Sequence, residues 1–261
     1  MSVRAATDND KPEAPYASFV DLFTGILLMF LVLVALLALR QSGGAVSDLK
    51  KRGDMVEGLE AVLKHHGMDV SVDRRRGILH ISEKSVTFGS GSAELQGEHT
   101  RNIDLLAKEL RKILPCHSRA LREIKEHPCP KDAAQFAAVM IEGHTDSQPV
   151  GPNTRFKDNW DLGAARAATA LREILRSQPE LQLARSDFQE AAADRSSVDT
   201  PLFSIAGYAD TRPVSLKDPS KNRRIDVRFL LSSEMAGTDK PEPPTISQTI
   251  GRLLRPVIHG K

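Results

Sequence analysis

The sequence predicts an α+β protein in two parts: a single N-terminal transmembrane helix, then an α/β sandwich whose βαβαβ order gives a mixed sheet with helices on one face. Two observations predict it. Residues 16–39, "YASFVDLFTGILLMFLVLVALLAL", hold one acid, Asp21, in an otherwise uncharged apolar run. From residue 68 onward, segments with the two-residue alternation of strands are interleaved with segments of helical period. The expected parts are a tail (1–15), the transmembrane helix (16–40), a linker with a short amphipathic helix (41–76), the sandwich (77–232) and a C-terminal extension (233–261).

Crossing a hydrocarbon core takes roughly 20 apolar residues, so the span from Phe19 to Leu39 suffices only with Asp21 inside it or at its edge. A carboxylate held centrally costs about 2.5–3.5 kcal/mol on insertion scales and less near the boundary. The acid is therefore either interfacial or kept for a purpose. A cleaved signal peptide fits less well, because the apolar run exceeds the roughly 7–15 residues of a signal core. The leader also mixes Arg4 and Lys11 with acids, although "SGGA" (42–45) would pass as a cleavage site. Arg40, Lys50, Lys51 and Arg52 follow the span, which by the positive-inside rule alone puts the C-terminal side in the cytoplasm. Large domains translocate largely regardless of charge, and the domain that follows decides the orientation below.

Residues 40–54, "RQSGGAVSDLKKRGD", read as a flexible joint around a glycine pair. Over 55–66, Met55, Val56, Leu59, Val62 and Leu63 share a helical face, and Gly67 stands where a helix stops. "MDVSV" (68–72) and "GILHIS" (77–82) alternate around "DRRRG", a hairpin signal closed by Gly77. "VTFGSGSAEL" (86–95) is a loop entering a helix, with Leu95, Ile103, Leu105, Leu106, Leu110, Ile113 and Leu114 as its apolar face. "QFAAVMIEGHTD" (135–146) is a buried strand ending in a turn. "NWDLGAARAATALREIL" (159–175) is a helix, apolar at Leu162, Ala165, Ala168, Thr169, Leu171, Ile174 and Leu175. A variable loop over 177–200 precedes the strands "LFSIAGYAD" (202–210) and "RRIDVRFLL" (223–231). Residues from 232 read as a linker and a weakly amphipathic tail.

Composition limits the function. Lys and Arg number 36 against 34 acids, a near-balance without a basic-aromatic patch, which gives no reason to expect a nucleic-acid partner. No metal-binding Cys/His spacing is present, so no metal and no cofactor is expected. No nucleophile set or catalytic carboxylate pair stands out, so the chain does not read as an enzyme. His144 reads as a structural hydrogen-bonder. Cys116 and Cys129 flank a charged, Pro-containing insertion and suit a disulfide, which requires an oxidising compartment; two unpaired thiols are the alternative.

From about Ile78 to Leu231 the chain resembles an OmpA-like peptidoglycan-binding domain. "VTFGSGSAEL" is similar to its opening loop, "IEGHTDSQPV" to its strand-turn motif and "NWDLGAARA" to its Asn-x-x-Leu-x-x-x-Arg-Ala helix. "IAGYADTRPV" and "NRRIDVRF" complete five motifs in order. The resemblance implies binding of the diaminopimelate stem peptide of peptidoglycan, with Asp146 meeting the ligand's ammonium and Arg166 clamping its carboxylate. Thr145, Asn159, Asn222 and Arg223 would line the same pocket. Gly163 departs from the family, which usually has Ser there. Independently of the family, an amino-acid zwitterion needs an anion and a planar bidentate donor, and these residue types supply both.

The N-terminal part resembles the B subunits of stator-type ion channels, whose flagellar member is MotB. "SFVDLFT" (18–24) keeps Ser18, Asp21 and Thr24 of their Ser-Tyr-Ala-Asp-Met-Met-Thr opening, with Phe19 and Val20 as departures. The resemblance implies that Asp21 carries a translocated proton or sodium ion, with Thr24 one helical turn on. It also implies a homodimer inside a pentamer of multi-span A subunits, in the bacterial inner membrane, N-terminus cytoplasmic and C-terminal domain periplasmic. The absence of a basic N-terminal tail, the cysteine-flanked insertion and the C-terminal extension make the chain more similar to the B subunit of the Zorya anti-phage defence system than to flagellar MotB. A static wall tether without transport is the rival reading.

Overall fold

The computed structural model describes residues 16–95, 97–126, 128–152, 154–186 and 200–235. The tail over 1–15, most of the variable loop and all but the start of the C-terminal extension therefore lie outside the described residues. The chain divides into two compact units between Val46 and Ser47.

The first unit holds the apolar part of helix α1, Tyr16–His65. Phe19–Leu37 is 19 residues of mean hydropathy 2.7, none of them buried. At about 1.5 Å per residue it is some 28 Å long, close to a hydrocarbon thickness of about 30 Å. Asp21 lies near its start and is exposed. The Thr24 hydroxyl donates to the Val20 carbonyl at 2.6 Å, the bond a helix offers a threonine whose partner is one turn back. The expected flexible joint over 40–54 is corrected: these residues are helical, and α1 passes through Gly43 and Gly44 without a break. Each glycine costs about 1 kcal/mol relative to alanine. Helix-forming neighbours and a docked C-terminal stretch outweigh that cost.

That docked stretch belongs to the second unit. Val56, Leu59 and Leu63 are buried in the core, whereas Val62, expected on the same face, is 38% exposed. Gly67, at φ 85°, ends the turn in the left-handed conformation that favours glycine, with Met68 N–H donating to Leu63 O. Five strands follow: β1 Val70–Asp73, β2 Ile78–Ser82, β3 Phe136–His144, β4 Phe203–Ala209 and β5 Arg224–Leu231. They form one mixed sheet in the order β1-β2-β5-β3-β4, antiparallel except for the β3–β4 pair. Helices α2 (Glu98–Ile113) and α3 (Asn159–Ser177) precede β3 and β4, and the short α4 (Ser232–Met235) follows β5. The fold is the expected mixed-sheet sandwich. Leu79, Ile81, Val139, Ile141, Ile225, Val227 and Phe229 form one core with Leu106, Leu110, Ala167 and Ile174 of the helices.

Helix α3 corrects the sequence reading. Its buried positions are Leu162, Gly163, Arg166, Ala167, Ala170 and Ile174; Ala165, Ala168 and Thr169 are only half-buried. Small residues face the sheet because the backbones nearly touch. A Cβ added to Gly143 of β3 would lie 1.9 Å from Gly163 O, and one added to Gly207 of β4 would lie 2.6 Å from Ala164 N. The same approach suits a glycine at 163, since a Cβ there would lie 2.9 Å from Gly143 O. Gly143→Ala is expected to force helix and sheet apart at a cost of about 1–3 kcal/mol, the range for overpacking, read as a lowered thermal midpoint.

Cys116 and Cys129 form a disulfide with Cα atoms 5.1 Å apart. It closes the insertion that contains the 3₁₀ turn Arg119–Ile124, whose Leu121 is fully buried in the core. Closing a loop of about 15 residues restricts the unfolded chain by about 3 kcal/mol. Cys116→Ser should lower stability by a comparable amount, and reductant should then leave the variant's midpoint unchanged while lowering that of the wild type.

Candidate functional site

Strand register assembles the site. Ser82 of β2 pairs with Arg224 of β5, and Arg224 pairs with His144 of β3. One step beyond this row, Glu83, Arg223 and Thr145 emerge together at the same end of the sheet, followed by Asp146. Parallel β3 and β4 both end here, joined through α3, and the carboxyl ends of such strands are where open α/β sheets leave a crevice. A register shift after Gly143 lets Thr145 N–H donate to Ala209 O at 2.9 Å. Ala209 takes φ 48°, a left-handed conformation uncommon outside glycine and concentrated at irregular, often functional, backbone.

The crevice is a cleft of about 330 Å³ lined by Glu83, Thr145, Asp146, Asn159, Arg166 and Arg223, among others. Asp146 Oδ2 accepts from Arg223 Nη1 at 2.6 Å, and Oδ1 from Gln148 N–H at 3.2 Å. Arg223 turns its other edge to Glu83, with Nε 2.8 Å from both carboxylate oxygens and Nη2 2.6 Å from Oε2. The Glu83 carboxylate, aided by Asp146, raises the Arg223 pKa above its ordinary value. Arg166 donates from Nε to Ser92 O (3.0 Å) and from Nη2 to Gly89 O (3.2 Å), and lies over the Phe88 ring. Its Nη1 has no acceptor among the described residues. Burial lowers its pKa from the ordinary arginine value, opposed by the charges of Glu83 and Asp146. Thr145 Oγ1 is buried without a hydrogen-bond partner.

Two of the sequence-predicted residues act on backbone. Asn159 Nδ2 donates to the carbonyls of Asp146 and Gln148, fixing the turn that carries the acid. Asn222 is tied to Val214 and Ser215 by three hydrogen bonds and does not line the cleft. Asp21 and Thr24 belong to the other unit. Sequence reading missed Glu83, which carries no motif signal. Its position one residue past β2 places it beside Arg223 only once the β2–β5 register is known.

On the sheet face opposite the helices, Glu142, His144 and Asp226 bring three ligand-type atoms within 4.8 Å of one another. Arg228 forks Glu142 at 2.6 and 2.9 Å, and Arg224 holds Asp226 at 2.9 Å. Both carboxylates are thus already compensated, and a cation would have to displace two guanidinium groups. His144 stacks on Tyr208 and sets Nε2 3.1 Å from Asp226 Oδ2 without hydrogen-bond alignment. Burial pushes the Asp226 carboxyl up, but His144, His80 and Arg224 outweigh it and leave the group below the usual carboxylate range. This cluster reads as a buried ion-pair network of the sheet.

Among solved structures the chain is similar to the periplasmic domain of MotB, at 18% identity over 70% of this chain and 72% of that one, with a TM-score of 0.40. It is similar to a putative MotB like protein from Desulfovibrio vulgaris, at 19% identity over 73% and 94% of the two chains, with a TM-score of 0.45. The cell wall anchor of the T6SS from Pseudomonas aeruginosa gives 20% identity over 68% and 96%, with a TM-score of 0.42. No protein-family model matches the sequence, and no curated protein matches it. Likenesses of this strength carry no residue roles, so the roles assigned to this chain rest on its own geometry.

Proposed function

We propose that the protein is the wall-anchored B subunit of an ion-driven stator complex of the bacterial inner membrane. The observation that carries this reading is the cleft, in which an acid and a half-free guanidinium stand on opposite elements around a space of about 330 Å³. Asp146 would take the ammonium of the diaminopimelate stem of peptidoglycan and Arg166 its carboxylate, with Nη1 free to complete a fork. Thr145 Oγ1 offers one more buried hydrogen-bonding group at the same wall.

The N-terminal helix supplies the second half of the proposal. Phe19–Leu37 would cross the membrane once, with the tail cytoplasmic and the disulfide-bearing domain periplasmic, an oxidising compartment. A single helix encloses no path, so Asp21 requires a ring of multi-span A subunits, a pentamer around a dimer of this chain. The ion, a proton or sodium, would bind at Asp21. The system we favour is Zorya anti-phage defence, on the sequence departures from flagellar MotB.

Co-sedimentation of the detergent-solubilised full chain with purified peptidoglycan tests the anchor. Walls with diaminopimelate stems should bring the chain down and walls with lysine stems should not, since lysine lacks the carboxylate that Arg166 would hold. Equal recovery with both walls would overturn the reading.

A further inference from the structure

The cleft contains a second acid that the zwitterion reading does not use. Its lining includes four charged side chains, Glu83, Asp146, Arg166 and Arg223, and their formal charges cancel. Arg223 lies between the two acids, one edge on Glu83 and Nη1 on Asp146. We propose, resting on the stem-peptide reading above, that Glu83 is a specificity-determining residue: it holds Arg223 by its Nε edge so that Asp146 remains open to a ligand's ammonium, and so tunes the pocket to zwitterions.

Acceptor capacity supports this. A carboxylate has about four acceptor positions, and at Asp146 the Gln148 amide and Arg223 Nη1 occupy two. An ammonium can take the others only while Arg223 stays turned edge-on. Freed from Glu83, its guanidinium would rotate into a two-pronged pair with Asp146, the geometry arginine and carboxylate prefer. The cleft would then carry one net positive charge and favour anions over zwitterions. A purely structural role explains less. The Glu83 and Arg223 side chains are 29% and 32% exposed, and a partly solvated pair of this kind adds little to stability.

The test uses the full chain in detergent and two soluble probes in calorimetry. One is the tripeptide L-alanyl-D-isoglutamyl-meso-diaminopimelate; the other is the same peptide with its free diaminopimelate amine acetylated. Wild type should prefer the free amine. Glu83→Gln should weaken the free-amine peptide about tenfold and leave the acetylated one unchanged or tighter, so the preference collapses. Adding Arg223→Gln to Glu83→Gln should restore part of the preference, because the competing guanidinium is gone. A merely structural glutamate would move both peptides together. Unchanged affinity and preference in Glu83→Gln, with Asp146→Asn losing the free-amine preference, overturns the role of Glu83 and leaves the pocket reading standing. A wild type with no preference, matched by Asp146→Asn, overturns the pocket reading itself.

Discussion

Under the stator reading proposed above, Asp21→Asn is expected to abolish ion-driven function while leaving wall binding at the wild-type level. The substitution keeps size and one hydrogen-bonding oxygen but removes the carboxylate. Asp21 is the only ionisable side chain between Phe19 and Leu37, and it stands on an otherwise apolar helix surface with no burial within the chain. Facing lipid at depth it would cost about 2.5–3.5 kcal/mol; facing a partner's water-filled path it would exchange an ion as its surroundings alternate. A static tether has no use for that exchange. The measurement is phage plating and swimming in cells carrying the variant together with its gene neighbours, alongside wall co-sedimentation. Lost protection with retained binding fits a defence stator, and lost swimming with unchanged plating would move the assignment to a flagellar one. Full function in the variant would reduce the protein to a wall anchor.

Arg166 variants give the second large effect. Removing one partner of a buried charged contact costs about 2–5 kcal/mol of binding, so Arg166→Ala should weaken the diaminopimelate peptide at least about thirtyfold. Arg166→Lys is the more informative change. It keeps the charge but loses the planar fork, and it cannot donate to Gly89 O and Ser92 O while also gripping a carboxylate in two prongs. Binding should fall about tenfold or more, as expected for the loss of a charge-assisted hydrogen bond worth about 1.5–3 kcal/mol. Calorimetry reads the affinity, and thermal unfolding separates it from loosening of the 86–95 loop. Wild-type affinity in the lysine variant would remove Arg166 from the ligand.

The element order and the motif-bearing turns were legible in the sequence because each depends on local signals: the alternation of β1 and β2, the helical period that starts at Asn159 in α3, the stop at Gly67. The Asp158 carboxylate, which the sequence reading did not single out, caps α3 by accepting from Trp160 and Asp161 N–H. Three features were not legible. Helical continuity through Gly43 and Gly44 runs against local propensity. The buried stripe of α3 follows small residues rather than large apolar ones, because Gly143 and Gly207 let the helix lie almost on the sheet. Arg166 sits inside that stripe, where periodicity alone marks it as a solvated charge. Glu83 and Arg223 are separated by 140 residues, and only sheet register joins them. Long-range pairing of this kind leaves no trace in spacing along one chain.

The most direct test of the pocket is a crystal structure of the protein bound to the meso-diaminopimelate tripeptide. The account predicts the free diaminopimelate ammonium at hydrogen-bond distance, about 2.7–3.2 Å, from Asp146 and the carboxylate on the same carbon forked on Arg166, with Arg223 still held edge-on by Glu83. A tripeptide seated elsewhere on the domain, or reversed so that its carboxylate meets Arg223 and its ammonium points to solvent, would contradict it.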